Sequence, residues 1–280
     1  MLHYKIHDAK QPSDIVLILL HGFISDSSTF DHHIKQLSET MKIVTIDLPG
    51  HGQDDSSMDQ SWDFEWMGHQ LHNVVETFGE KHVILHGYSM GARVALYYAI
   101  HHETWLSGLI LESGSPGIQD EAMRTERIQV DLARARVLEL APLETFVNDW
   151  ERLPLFQSQR FLSDVEQQRI RNMRLRQSPS RLAKALRDYG TGVMPNLWND
   201  LVNLRMPVQL IVGEWDEKFV EIAHKMKDDL LHAKLEVVPQ VGHTVHVEDV
   251  AKFDTITLAF IKGLIEEANH GKTMGDTKGI

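Results

Sequence analysis

Short apolar, β-branched runs bounded by turn residues recur at residues 15–20, 42–46, 82–85, 106–111, 208–212 and 235–238. Apolar runs of this length, without polar alternation, predict strands covered on both faces, as in a parallel sheet. Between them, residues 62–78, 91–101, 219–231 and 249–267 read as amphipathic helices. The alternation defines an α/β fold, with a mostly parallel sheet, right-handed crossovers and helices on both faces. One interval departs from this rhythm. Residues 117–201 contain no strand-like run and read as several short helices broken at Pro142, Pro154, Pro179 and Pro195. A helical insertion between parallel strands is expected to lie as a lid over the C-terminal edge of the sheet. The expected organisation is a core of residues 1–116 and 202–268, a helical lid of residues 117–201, and a polar, disordered tail of residues 269–280.

Composition narrows the range of partners. A chain of 280 residues, 42% hydrophobic and 24% charged, can bury one full core. Its formal net charge of -12 disfavours nucleic acid and anionic lipid, whose binding needs clustered Lys and Arg. A small-molecule substrate is therefore expected. The absence of cysteine excludes disulfides and a thiol nucleophile. The N-terminal residues lack a basic segment followed by an apolar run, and no apolar run near them could span a bilayer, so a soluble cytoplasmic protein is expected, without membrane insertion. The sequence does not set the oligomeric state.

The chemistry-bearing motif is Gly87-Tyr88-Ser89-Met90-Gly91, which follows the strand at 82–85 and opens the helix at 91–101. In a G-x-S-x-G turn the glycines permit a bend tight enough to lift the serine above the sheet at a helix N-terminus. A serine hydroxyl reacts only when a histidine, itself oriented by a carboxylate, takes its proton. In the α/β-hydrolase fold the chain order is serine, acid, histidine. Asp216 lies on the loop after the strand at 208–212 and His243 on the loop after the strand at 235–238, so both fit that order. Glu214 is the rival acid. His246 is the rival base, although its position favours a cap on the helix beginning near Asp249. Oxyanion donors are expected from the backbone N–H groups of Met90 and of Phe23, in the His21-Gly22-Phe23 turn after the first apolar run. The adjacent pairs His32-His33 and His101-His102 cannot share a helix face, and no H-E-x-x-H spacing occurs, so no metal is expected.

Between Arg124 and Arg187 there are thirteen Lys or Arg, twelve of them Arg, against eight Asp or Glu; this +5 balance leaves -17 for the remainder. Arginine binds carboxylates through a planar fork, so an Arg-rich lid above a serine site suggests a polycarboxylate substrate, although single arginines at helical spacing are more often solvated or paired within the helix. Arg93, four residues after Ser89, lies beneath the elbow, where it can reach the pocket or brace the lid.

With these parts assembled, the chain resembles the 2-succinyl-6-hydroxy-2,4-cyclohexadiene-1-carboxylate synthases of menaquinone biosynthesis, a family of α/β-hydrolase fold. The resemblance runs from about residue 15 to 261. His21-Gly22-Phe23 and Asp47-Leu48-Pro49-Gly50-His51-Gly52 are general to the superfamily; more telling are the segment from Gly87 to Ala95, Glu112-Ser113-Gly114-Ser115-Pro116-Gly117, Asp149-Trp150, and Gly213 to Phe219. Ala92 stands where the family often has a second glycine. The resemblance implies a carbon–oxygen lyase that eliminates pyruvate without metal or organic cofactor. It further implies that Arg93, Arg127 and Arg174 hold substrate carboxylates while Tyr88 and Trp150 line the pocket; Arg124 or Arg176 could replace Arg127 or Arg174. Ser89 is then expected to act as a base. The alternative is a carboxylesterase or C–C bond hydrolase acting through an acyl-enzyme, because a triad alone does not set the reaction.

Overall fold

The computed structural model describes residues 1–79 and 81–275, with side chains of the last helix described to residue 266. Seven strands, β1 (His3–His7), β2 (Ile15–Leu20), β3 (Lys42–Asp47), β4 (His82–Tyr88), β5 (Gly108–Glu112), β6 (Val208–Gly213) and β7 (Ala233–Val238), form one sheet in the order β1-β3-β2-β4-β5-β6-β7. All pairings are parallel except β1 with β3, which is antiparallel. The apolar-run pattern missed β1. Its residues HYKIH carry no buried run, because an edge strand needs only one covered side.

The chain steps from β2 to β3 on one side and then to β4 on the other, so the strand order reverses at β2. The crevice outside the carboxyl ends of β2 and β4 is where such sheets bind ligands. Successive side chains of β2 enter opposite cores. Val16, Ile18 and Leu20 join one with helices α2 (Phe64–Val75), α3 (Met90–His101) and α8 (Glu217–Asp229), while Leu17 and Leu19 join the other with α1 (Asp31–Leu37) and α10 (Val250–Gly275). This two-sided burial explains why the central strands read as unbroken apolar runs. A short helix, α9 (Val245–Glu248), precedes α10. Because α10 continues to Gly275, the expected disordered tail begins as helix; residues 276–280 lie outside the described residues.

Between β5 and β6 lie α4 (Glu121–Leu140), α5 (Leu143–Glu151), a 3₁₀ helix (Pro154–Phe161), α6 (Asp164–Leu175) and α7 (Pro179–Tyr189). The prolines act as the sequence suggested. Pro154 and Pro179 open their helices, where a missing N–H costs nothing, and Pro142 precedes α5. Asp120 and Ser163 cap α4 and α6. These helices bury their own apolar cluster, including Ala135, Phe146, Val147, Leu182 and Leu186, against Ile24 of the core. No helix among the described residues is long and apolar enough to cross a membrane.

Candidate active site

Strand β4 ends at Tyr88, and α3 begins at Met90, so Ser89 alone makes the turn. Its φ of 51° places it in the left-handed region, a conformation of order 1–3 kcal/mol that persists only where surroundings enforce it. They do so here. The Ser89 N–H donates to the Glu112 carbonyl at 2.8 Å, and a Cβ at Gly91 would lie 2.4 Å from the Leu20 carbonyl. Ser89 Oγ stands 2.9 Å from His243 Nε2, and His243 Nδ1 stands 2.6 Å from Asp216 Oδ2, with both partners buried. An imidazole held on Nδ1 by a carboxylate presents a bare Nε2 to the hydroxyl, the arrangement that lets it accept the serine proton.

The structure separates the rivals. Glu214 is exposed and accepts from the Gln240 N–H, away from His243. His246 does not cap α10; Asp249 does, accepting from the Lys252 N–H. His246 instead sits in α9, fully buried, with Nδ1 2.9 Å from Glu112 Oε1 and Nε2 3.0 Å from Thr29 Oγ1. The cap expectation failed because α9 turns the ring inward. Glu112 also bonds His86 Nε2 at 3.1 Å. Burial pushes the Glu112 carboxyl up, but the adjacent His246 and His86 outweigh it and hold it well below the usual carboxylate range.

The loop after β2 passes directly over the elbow. A Cβ at Gly22 would lie 2.6 Å from the Tyr88 ring and 3.6 Å from Ser89 Cβ, so glycine alone permits this approach. Its neighbour Phe23 is followed by Ile24, a β-branched residue with a φ of 54°, strain the sequence did not signal. His21 fixes the loop: its Nε2 accepts the Leu48 N–H at 3.0 Å.

Ser89 opens into a cavity of about 1200 Å³. Phe23, Tyr88 and Met90 line it beside the triad, while Arg93, Arg127, Trp150 and Arg174 line it from α3 and the inserted helices. Arg124 and Arg176 do not; Arg124 donates to the Gly192 carbonyl and Arg176 to Asp26. Most of the positive charge on the inserted helices is already matched. Ten of the twelve arginines there make ion pairs, including Arg127 with Asp131, Arg174 with Glu151 and Arg187 with Glu139, so the +5 balance overstates what a ligand would meet. Arg93 differs. It is buried, donates to the Tyr189 carbonyl at 3.0 Å at the end of α7, and pairs with no carboxylate among the described residues. Burial, followed by repulsion from Arg127, pulls its guanidinium down to about 10. It both lines the cavity and braces the inserted helices. Arg134, whose guanidinium lies 5.4 Å above the Trp150 ring, also lines the cavity; its helical spacing gave no reason to single it out. Among the described residues, no group of three or more His, Asp or Glu side chains could hold a metal ion.

The model of the family described as alpha/beta hydrolase matches residues 17–254. A putative 2-succinyl-6-hydroxy-2,4-cyclohexadiene-1-carboxylate synthase from Bacillus subtilis (strain 168) is 34% identical over 264 residues, covering 94% of this chain and 96% of the relative. The chain belongs to the alpha/beta hydrolase family, within its 2-succinyl-6-hydroxy-2,4-cyclohexadiene-1-carboxylate synthases. A solved structure of MenH from S. aureus is similar to this family member at 51% identity, with a TM-score of 0.93 and coverage of 94% of this chain and 99% of that one. A thermophilic esterase from Thermogutta terrifontis, 21% identical with a TM-score of 0.79, covers 94% of this chain and 93% of its own. That likeness bears on the fold alone: within the alpha/beta hydrolases, the side chains above the serine distinguish one chemistry from another.

Proposed function

We propose that this protein is a carbon–oxygen lyase that eliminates pyruvate from 2-succinyl-5-enolpyruvyl-6-hydroxy-3-cyclohexene-1-carboxylate, giving 2-succinyl-6-hydroxy-2,4-cyclohexadiene-1-carboxylate. The observation that carries the reading is Arg93, a buried guanidinium that lines the cavity of Ser89 and has no ion pair among the described residues. A neutral ester would leave that charge unmatched, whereas a polycarboxylate would supply its counterion. Arg127 and Arg174, each sharing its charge with one acid, add two more guanidiniums to the lining, and Tyr88 and Trp150 give the ring an aromatic surround.

In this mechanism His243 takes the Ser89 proton, and the Ser89 oxygen removes the proton α to the succinyl carbonyl. The electron pair of that C–H bond moves onto the carbonyl oxygen, which the Phe23 and Met90 amides receive. It returns through the ring as the C–O bond to the enolpyruvyl group breaks. Pyruvate leaves as its enolate and is protonated at the expense of the His243 imidazolium. Asp216 holds His243 in the accepting tautomer. No acyl-enzyme forms, and no metal or organic cofactor is needed. Menaquinone biosynthesis is the setting, with a cytoplasmic enzyme acting on a soluble polycarboxylate.

Pyruvate release from the enolpyruvyl cyclohexene, followed with a coupled lactate dehydrogenase, tests the proposal. Turnover is expected in the native protein and its loss, by at least about 10³-fold in kcat, in Ser89→Ala with folding intact. Rapid hydrolysis of simple aryl esters without pyruvate release would instead establish the acyl-enzyme reading.

A further inference from the structure

We propose that Gln159 is a positioning residue that couples Arg174 to the loop carrying His243, so that carboxylate recognition and proton transfer are mechanically joined. The inference rests on the reading that Arg174 receives a substrate carboxylate. Gln159 lies in the 3₁₀ helix Pro154–Phe161, buried at the cavity wall. Its Oε1 accepts from Arg174 Nη2 at 3.0 Å, and its Nε2 donates to Thr244 Oγ1 at 3.2 Å. The amide orientation is fixed by chemistry, since a guanidinium can only donate and so must face the amide oxygen. Thr244 directly follows His243, and its Oγ1 also meets the Tyr88 hydroxyl at 2.8 Å. One amide thus spans the distance from a lid arginine to the residue beside the catalytic imidazole.

The same turn presses on the other flank. A Cβ at Gly242 would lie 2.0 Å from Ser158 Oγ, so residue 158 sits against the backbone just before His243. The Phe156 ring lies edge-on to His243, with centroids 6.0 Å apart, and the Arg174 guanidinium stands 5.2 Å above that ring. Arg174 therefore reaches the His243 loop by two routes within one turn, polar through Gln159 and apolar through Phe156. Its ion pair with Glu151 is shared, because Glu151 also binds Arg171 at 2.6 Å. With its counterion divided, Arg174 has room for a substrate carboxylate while Gln159 keeps its place. Without Arg174 the amide loses its anchor, and its bond to Thr244 no longer fixes the loop.

A double-mutant cycle on pyruvate release separates this coupling from direct substrate contact. Gln159→Leu is expected to lower kcat about tenfold with KM within about twofold, since small misplacement of a catalytic group costs rate rather than binding. Arg174→Ala is expected to raise KM and lower kcat, and the double variant to keep a kcat within about twofold of Arg174→Ala alone. Multiplicative losses, or a raised KM with unchanged kcat in Gln159→Leu, would overturn the coupling. Gln159→Met keeps the length of the side chain and removes both hydrogen bonds, to Arg174 and to Thr244, so it should lose kcat as Gln159→Leu does. It carries the test if the leucine variant fails to fold, and a native kcat would count against the bridge. An unchanged KM in Arg174→Ala would sink the carboxylate role of Arg174 itself, while additivity in kcat still judges Gln159.

Discussion

Replacing Arg93 by Met should make the ligand-free protein more stable and the enzyme worse. The Arg93 guanidinium is buried, with one hydrogen bond to the Tyr189 carbonyl and no ion pair among the described residues, and the attraction of Asp131 offsets only part of its burial. Burial and Arg127 together pull it from 12.5 to about 10. For a base held below its unfolded value, the folded state disfavours the charged form, so at every pH below about 10 the protein bears a penalty. A difference of this size corresponds to roughly 3 kcal/mol at neutral pH. Met keeps most of the aliphatic stem and removes the charge, but it gives up the bond to the Tyr189 carbonyl, worth about 1 kcal/mol. The net gain is about 2 kcal/mol, or a rise of roughly 5 °C in Tm. Urea and thermal unfolding at pH 7.5 measure it directly. Saturating product should then stabilise the native protein, by about 2.7 kcal/mol at a hundredfold excess over Kd, and leave Arg93→Met nearly unmoved. An Arg93→Met protein less stable than the native one without ligand, or equally stabilised by product, would refute the reasoning.

Two further perturbations test the site's supports. His51 is buried beside His21, and burial, then the neighbouring His21 ring, holds it down to about 3 from 6.5, so its contribution is complete above pH 6.5 and lost as the pH falls toward 3. Between pH 7.5 and 5.5 the native protein should lose about 1.4 kcal/mol through this group, a loss that His51→Gln should not show in urea titrations at the two pH values; parallel losses in both would exclude it. Glu112→Gln should cost about 3 kcal/mol at pH 7, because it leaves His86 and His246 facing an amide. As a carboxyl depressed in the folded state, Glu112 stabilises above about pH 4.5, so the deficit should shrink as the pH falls below that value; a constant deficit would point to packing alone.

The chain's own patterning specified much of the framework. Unbroken apolar runs marked the strands buried on both faces, the spacing of Gly87 and Gly91 marked the elbow, and the order of Ser89, Asp216 and His243 placed the three groups after β4, β6 and β7. These features are legible because each is a local requirement: a two-sided core needs apolar residues at every position, and a tight turn needs glycine. What depends on distant partners was not legible. His246 looked like a cap because its sequence neighbours begin a helix, yet Glu112, far away in the chain, claims the ring. β1 carries no run because its hydrogen bonds to β3, and not its own side chains, make it a strand.

The arginines show the division most clearly. Their number was plain in the sequence and suggested an anionic ligand, but a guanidinium's availability depends on which carboxylate it meets after folding. Packing matched ten arginines of the inserted segment with acids and left Arg93, a core residue on α3, buried without an ion pair among the described residues. Sequence alone marked six of the seven strands, the elbow, and the serine, aspartate and histidine that the fold brings into one hydrogen-bonded chain. Tertiary structure decided which charges remain open above Ser89, because Coulomb interactions act through space and burial multiplies their strength.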